Sequence, residues 1–166
     1  IICLTHQAAQ AARMMEKLDR GIVAVNKGSG QVYIGWRLLG TDPDDIAFNV
    51  YRGSTRLNSS PITNSTNYLD ANGSLSAKYK VVPVTGNQEL APSREVSVWD
   101  SFCKSITLAE VPGEYIPNDA TVGDLDGDGE YEIILKRLSA DISQTSTTYN
   151  LIEAYRLDGS FLWRIN

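Results

Sequence analysis

The first regular signal in the chain is strict alternation of apolar and polar residues. Gln31-Val32-Tyr33-Ile34-Gly35-Trp36-Arg37 places Val32, Ile34 and Trp36 on one face of an extended segment. Ile46-Ala47-Phe48-Asn49-Val50-Tyr51-Arg52 does the same with Ile46, Phe48 and Val50. The pattern predicts further strands at Thr66–Leu69, Ala77–Val84 and Arg94–Trp99. Turn-forming clusters separate them: Gly28-Ser29-Gly30, Thr41-Asp42-Pro43-Asp44-Asp45, Asn58-Ser59-Ser60-Pro61 and Asp70-Ala71-Asn72-Gly73. Proline has no N–H to give to a ladder, so Pro83 predicts an edge or a bulge within Ala77–Val84.

Residues 100–117 carry no such pattern and contain Pro112-Gly113 and Pro117, which marks a connector. Strands resume at Ala120–Asp124, Tyr131–Lys136, Asn150–Arg156 and Phe161–Ile165, the last two joined by an Asp158-Gly159 hairpin turn. The prediction is an all-β chain. A β-sandwich of the fibronectin III or immunoglobulin-like kind is expected over residues 13–103, similar to that pattern at Trp36, at Val50-Tyr51-Arg52-Gly53 and at Tyr79. Each of these aromatics also reads as plain core, and such sandwiches host many roles. Residues 104–117 are the expected linker. Residues 118–166 hold four consecutive strands, the content of the first blade of a β-propeller. One blade cannot close a ring, so the chain is expected to be a fragment of a larger protein.

Composition narrows the function classes. The 166 residues are 42% hydrophobic and 21% charged, as in a soluble globular protein. No apolar run approaches the ~20 residues that span a bilayer, so no membrane partner is expected. A net charge of −5 disfavours nucleic acid as a partner. Cys3 and Cys103 make neither a disulfide framework nor a thiolate metal site. Residues 1–12 are small and apolar and include Ala9-Gln10-Ala11, an A-x-A pattern. They read as the remnant of a secretory signal, with a frayed helix as the plainer alternative. The expected location is extracellular, where free calcium is abundant.

The acids are densest in Asp124-Leu125-Asp126-Gly127-Asp128-Gly129-Glu130-Tyr131-Glu132. Calcium takes six to eight hard oxygen ligands, and alternate residues of a tight loop can aim carboxylates at one centre. Those residues are Asp124, Asp126 and Asp128, with the Glu130 carbonyl and the Glu132 carboxylate as further ligands. Gly127 and Gly129 supply the positive φ that wrapping an ion requires. An EF-hand would need Glu at the twelfth position, where Leu135 stands, and helical flanks where Tyr131–Leu135 reads as strand. The expected cofactor is therefore Ca²⁺ in a loop that feeds a strand. A solvated acidic turn is the bland alternative.

Several stretches go beyond composition. They are Met15-Glu16-Lys17-Leu18-Asp19-Arg20-Gly21-Ile22-Val23-Ala24-Val25, Trp36-Arg37-Leu38-Leu39-Gly40-Thr41-Asp42-Pro43, Ser65-Thr66-Asn67-Tyr68-Leu69-Asp70 and Asn118-Asp119-Ala120-Thr121-Val122-Gly123 with the acidic loop that follows. With Ala154–Gly159 and Leu162–Ile165 they resemble the amino-terminal part of the family 11 polysaccharide lyases, the rhamnogalacturonan lyases. The resemblance implies a β-sandwich followed by an eight-bladed, calcium-carrying propeller of which this chain ends with the first blade. It implies a secreted enzyme that cleaves the pectic polysaccharide rhamnogalacturonan I by β-elimination. It also implies a substrate contact at Asn118, which otherwise reads as a polar residue capping a strand. The remaining propeller blades would be partners of this stretch. The family's Lys-Trp-Asp-Pro is here Lys136-Arg137-Leu138-Ser139, without its acid. No catalytic residue is assigned within the chain: the catalytic groups are expected beyond Asn166, and the chain alone is expected to be inactive. A calcium-binding adhesion or carbohydrate-binding module, without catalysis, is the competing reading. It fits the acidic loop and the sandwich but gives no reason for Met15–Val25 or Trp36–Pro43.

Overall fold

Alternation in the first half of the chain builds a curled sheet around a core lined by Val32, Ile34, Phe48, Val50, Tyr79 and Val81. The computed structural model describes residues 17–139 and 150–166; the expected signal remnant, residues 1–12, lies outside them, as do Cys3 and His6. Twelve strands run in chain order within the described residues. They are β1 (Val23–Gly28), β2 (Gln31–Gly35), β3 (Ala47–Arg52), β4 (Thr55–Arg56), β5 (Asn67–Asp70) and β6 (Lys78–Thr85), then β7 (Gln88–Glu89), β8 (Val96–Trp99), β9 (Tyr115–Gly123), β10 (Glu132–Ser139), β11 (Leu151–Tyr155) and β12 (Phe161–Ile165). The described residues are all-β, as the pattern predicts.

An eight-stranded sheet holds β4-β3-β6-β8-β1-β2-β5 in that order, with β7 attached to β6. Strand β8 joins its two halves, running parallel to β1 and antiparallel to β6. The sheet curls about this strand, so Ala24, Val32, Ile34 and Trp36 meet Phe48, Val50, Tyr79 and Val81 in one buried cluster. Trp36 and Phe48 make a tilted ring contact at 5.3 Å. Arg20 lies 5.2 Å from the Phe48 ring centroid while its guanidinium forks onto both Asp42 oxygens at 2.6 Å. The hydrogen bond from Arg20 holds the Asp42 carboxyl below its ordinary pKa.

Two details were not visible in the pattern. Asn58, one of the turn-cluster residues, is buried: its Oδ1 accepts from Val50 N and its Nδ2 donates to Phe48 O, so a side chain completes the hydrogen bonding of β3. Pro83 sits in an unbroken register with β3 and makes no bulge there. Its other side lies just past the end of the two-residue β7, a local edge where only Leu90 N reaches the Pro83 carbonyl.

The second half is a four-stranded antiparallel sheet, ordered β12-β11-β10-β9. Strand β9 begins at Tyr115, inside the expected linker, because the ladder continues past Pro117 by way of a bulge. Leu135 pairs with Ala120 and Arg137 with Pro117, so Asn118 and Asp119 both stand opposite Lys136. Gly159, at φ 94°, closes the β11–β12 turn by donating to Arg156 O at 2.9 Å.

One face of this sheet buries charge. Glu153 is 0% exposed; Arg164 Nε donates to it at 2.7 Å and the Tyr155 hydroxyl at 2.6 Å, while Arg137 Nη1 lies at 3.4 Å. The same arginines reach the connector, Arg137 donating to Ala109 O and Arg164 to Glu110 O, both at 3.0 Å. Glu153 thus orients two cations that pin an otherwise unpatterned segment to the sheet. Burial alone would push its carboxyl up, but Tyr155, Arg164 and Arg137 outweigh burial and hold it below its ordinary value.

A group with a depressed folded pKa stabilises the protein above its unfolded pKa and loses that contribution as pH falls through the folded one. Wild-type stability should therefore fall as pH drops below about 4.5. Glu153→Gln should cost about 3 kcal/mol at neutral pH, because it strands the guanidinium groups of the buried Arg137 and the partly buried Arg164. It should also flatten that acid limb, read as melting temperature against pH.

Candidate metal centre

The turn between β9 and β10 is shaped by its own carboxylates. Asp124 accepts from Gly127 N at 2.7 Å and from Gly129 N at 3.0 Å, while Asp126 accepts from Asp128 N at 3.2 Å and Asp128 from Glu130 N at 2.8 Å. Gly127 and Gly129 take φ of 78° and 92°, the left-handed bends that the sequence anticipates. The result brings one oxygen from each of Asp124, Asp126 and Asp128 within 4.8 Å of one another. Oxygens bound to a shared calcium at about 2.3–2.6 Å would be separated by similar distances.

The counter-charges present are few. Arg156 donates to Asp126 Oδ2 at 2.7 Å from an exposed position. Arg94 pairs with the Glu130 carboxylate, which leaves the Glu130 carbonyl as the group available to an ion. Glu132 is only 2% exposed and accepts a hydrogen bond from Leu125 N at 2.8 Å. Among the described residues no Lys or Arg pairs with Asp124, Asp128 or Glu132. A buried carboxylate without a cation is costly. The hard-oxygen donors and this uncompensated charge fit a calcium ion at Asp124, Asp126 and Asp128; the Glu132 carboxylate, also expected as a ligand, is not part of that cluster.

The other sequence-derived positions lie apart from the turn. Asn118 is exposed at the bulge of the edge strand β9. Leu138 lies in β10 opposite Ile116, so the Lys136–Ser139 stretch is strand. Asn166, the position past which the catalytic groups are expected, is exposed directly after β12 and is not itself a candidate catalytic group. Sequence reasoning missed the neighbours of the turn contributed by the first sheet. Asp19 N donates to Gly129 O at 2.9 Å, and the Arg37 guanidinium sits 4.3 Å from the Tyr131 ring centroid. Their signal was present in the two stretches singled out above, Met15–Val25 and Trp36–Pro43.

The glycines differ in what surrounds them. A Cβ on Gly129 would lie 2.9 Å from Asp19 N and 3.2 Å from Lys17 O, whereas one on Gly127 would meet nothing within 4 Å. Gly127→Ala should cost about 1 kcal/mol, the strain of a left-handed L-residue alone. Gly129→Ala should cost clearly more, because backbone must also move, and paired denaturant melts of the two variants read the difference directly.

Comparison with known proteins agrees with the sequence resemblance. A family model described as the rhamnogalacturonan I lyases beta-sheet domain matches residues 13–99, and one described as rhamnogalacturonan lyase family 11, C-terminal domain, matches residues 103–166. The chain is 45% identical over 173 aligned residues to rhamnogalacturonan endolyase YesW of Bacillus subtilis (strain 168), covering 96% of this chain and 28% of that protein. It is 44% identical to rhamnogalacturonan exolyase YesX of the same organism, covering 93% and 27%. A solved Bacillus licheniformis rhamnogalacturonan lyase PL11 superposes with a TM-score of 0.83 at 50% identity, covering 92% of this chain and 28% of that one. The chain thus spans a little over a quarter of the length of these relatives. Matched by two consecutive models along nearly all its residues, it belongs to rhamnogalacturonan lyase family 11.

Proposed function

We propose that this chain is the amino-terminal part of a secreted, calcium-dependent rhamnogalacturonan lyase that cleaves pectic rhamnogalacturonan I by β-elimination. The observation that carries the reading is identity of 45% and 44% to two proteins named as rhamnogalacturonan lyases, over nearly the whole chain. The adhesion reading explains the acidic turn but not this likeness.

In this reading the curled sheet is a fibronectin III-like module. The four-stranded sheet is the first blade of a propeller, and its outer strands and remaining faces meet further blades of the parent protein. Asn118, presented at the bulge of β9, contacts substrate. β-Elimination from a galacturonate requires loss of the C5 proton beside a carboxylate, so charge neutralisation at that carboxylate lowers the barrier. A bound calcium supplies such neutralisation where it touches substrate. At the turn itself the role proposed for the ion is structural: Asp124, Asp126, Asp128 and Glu132 are held together and shape the entry to β10. The proton-abstracting base belongs to the parent protein beyond Asn166. Extracellular calcium, at millimolar levels, suits a carboxylate site of this kind.

Two outcomes test the reading. Calcium should raise the melting temperature of the chain, a chelator should reverse the shift, and Asp126→Ala should abolish it. Mixed with rhamnogalacturonan I, the 166-residue chain should generate no ultraviolet-absorbing unsaturated product, whereas the parent protein should generate it. Sustained product from the short chain would place the catalytic groups within it and overturn the assignment.

A further inference from the structure

We propose that the outer side of the acidic turn is a clasp that docks the curled sheet onto the second sheet, and that this docking and cation binding at the turn are one linked equilibrium. The proposal rests on the calcium reading given above and adds to it a role for Asp19, Arg37 and Arg94, none of which is a metal ligand.

Three observations carry it. First, extensive strand packing falls within one sheet or the other, and a crevice of about 740 Å³ lies between them. Arg37, Arg94, Trp99, Lys104, Glu132 and Arg156 are among its walls. Among the described residues no strand of one sheet packs extensively against a strand of the other, so the contacts of the flanking loops and turns bear the docking.

Second, those contacts converge on the turn. Asp19 N donates to Gly129 O at 2.9 Å, and Arg37 stacks 4.3 Å from the Tyr131 ring centroid. Arg94 pairs with Glu130 and lies 3.8 Å from Asp19 Oδ2, while Arg37 lies 3.7 Å from Asp19 Oδ1. Asp19 is itself held in place, because its Oδ1 accepts from Gly21 N at 2.6 Å. Gly21 in turn leaves room for Arg37, whose Cζ would stand 2.5 Å from a Cβ at that position.

Third, the same two residues serve both sides, and the Gly129–Glu130 peptide bridges them, its carbonyl accepting from Asp19 N and its N–H donating to Asp128. The Gly129 N–H binds the Asp124 carboxylate on the inner side, and the Gly129 carbonyl takes the Asp19 N–H on the outer side. The Glu130 N–H binds Asp128, and the Glu130 side chain takes Arg94. The geometry of one side therefore fixes the geometry of the other. Anything that orders the inner carboxylates presents the outer groups, and linkage makes the effect reciprocal.

Charge and coupling predict opposite signs for the decisive variant. Arg94 and Arg37 are cations beside a cation site, so by Coulomb repulsion alone their removal would tighten calcium binding. The clasp predicts that their removal loosens the turn and weakens binding. Calorimetric titration of the chain with calcium chloride should show Arg94→Ala and Arg37→Ala each binding about fivefold or more weakly than wild type, within the range of coupled sites. In wild type, the Asp19 amide should exchange slowly with deuterium in calcium and quickly in chelator. Unchanged or tighter binding in both variants, or Asp19 exchange indifferent to calcium, would overturn the coupling while leaving the metal site intact. Absence of binding heat in wild type would remove both the calcium reading and the clasp.

Discussion

Three carboxylates held within 4.8 Å of one another repel, and the turn that holds them is the constraint on which this part of the molecule depends. The backbone offers partial compensation, since the N–H groups of Gly127, Asp128, Gly129 and Glu130 all point at Asp side chains. Such bonds orient the acids but leave their formal charge in place. Arg156 meets one acid and Arg94 a second. The buried Glu132 adds negative charge beneath. The proposed divalent cation would resolve this excess with the donor type already present, and two left-handed glycines let so short a turn gather the acids.

From that turn the architecture extends in both directions. On one side it feeds β10, whose central residues carry the second sheet and whose Arg137 helps pin the connector. On the other it receives Asp19, Arg37 and Arg94 from the first sheet. The acidic turn is thus a junction between the sheets as well as the proposed binding loop. This gives Asp19 and Arg37 a role that a free-standing first sheet would not require.

Much of this was legible in the residues. The alternation at Val32, Ile34, Phe48 and Val50 located the first core, because a period of two gathers those side chains on one face. The acidic spacing located the turn, and Asp158-Gly159 the last hairpin. Less legible were features that depend on partners distant in sequence. Strand β1 (Val23–Gly28) buries only its middle and shows no long alternation. The start of β9 at Tyr115 was hidden because Pro117 reads as a breaker, and only the bulge opposite Lys136 lets the ladder pass it. Asn58 read as a turn residue, yet it is buried because β3 needs its amide. The predicted strand Asn150–Arg156 gave no sign that Glu153 is buried, since its burial follows from two arginines, Arg137 and Arg164, that only the folded sheet brings together. In each case the local pattern was outweighed by a hydrogen-bonding demand that tertiary structure creates.

Family membership and the turn's chemistry point the same way, but they rest on different grounds, and the proposed metal is the joint between them. The most direct test is a crystal of the chain grown in millimolar calcium and measured for anomalous scattering. The account predicts one peak bounded by Asp124, Asp126 and Asp128, with oxygen ligands at about 2.3–2.6 Å and the Glu130 carbonyl among them. A turn with no peak, its carboxylates splayed apart toward solvent and arginine, would contradict it.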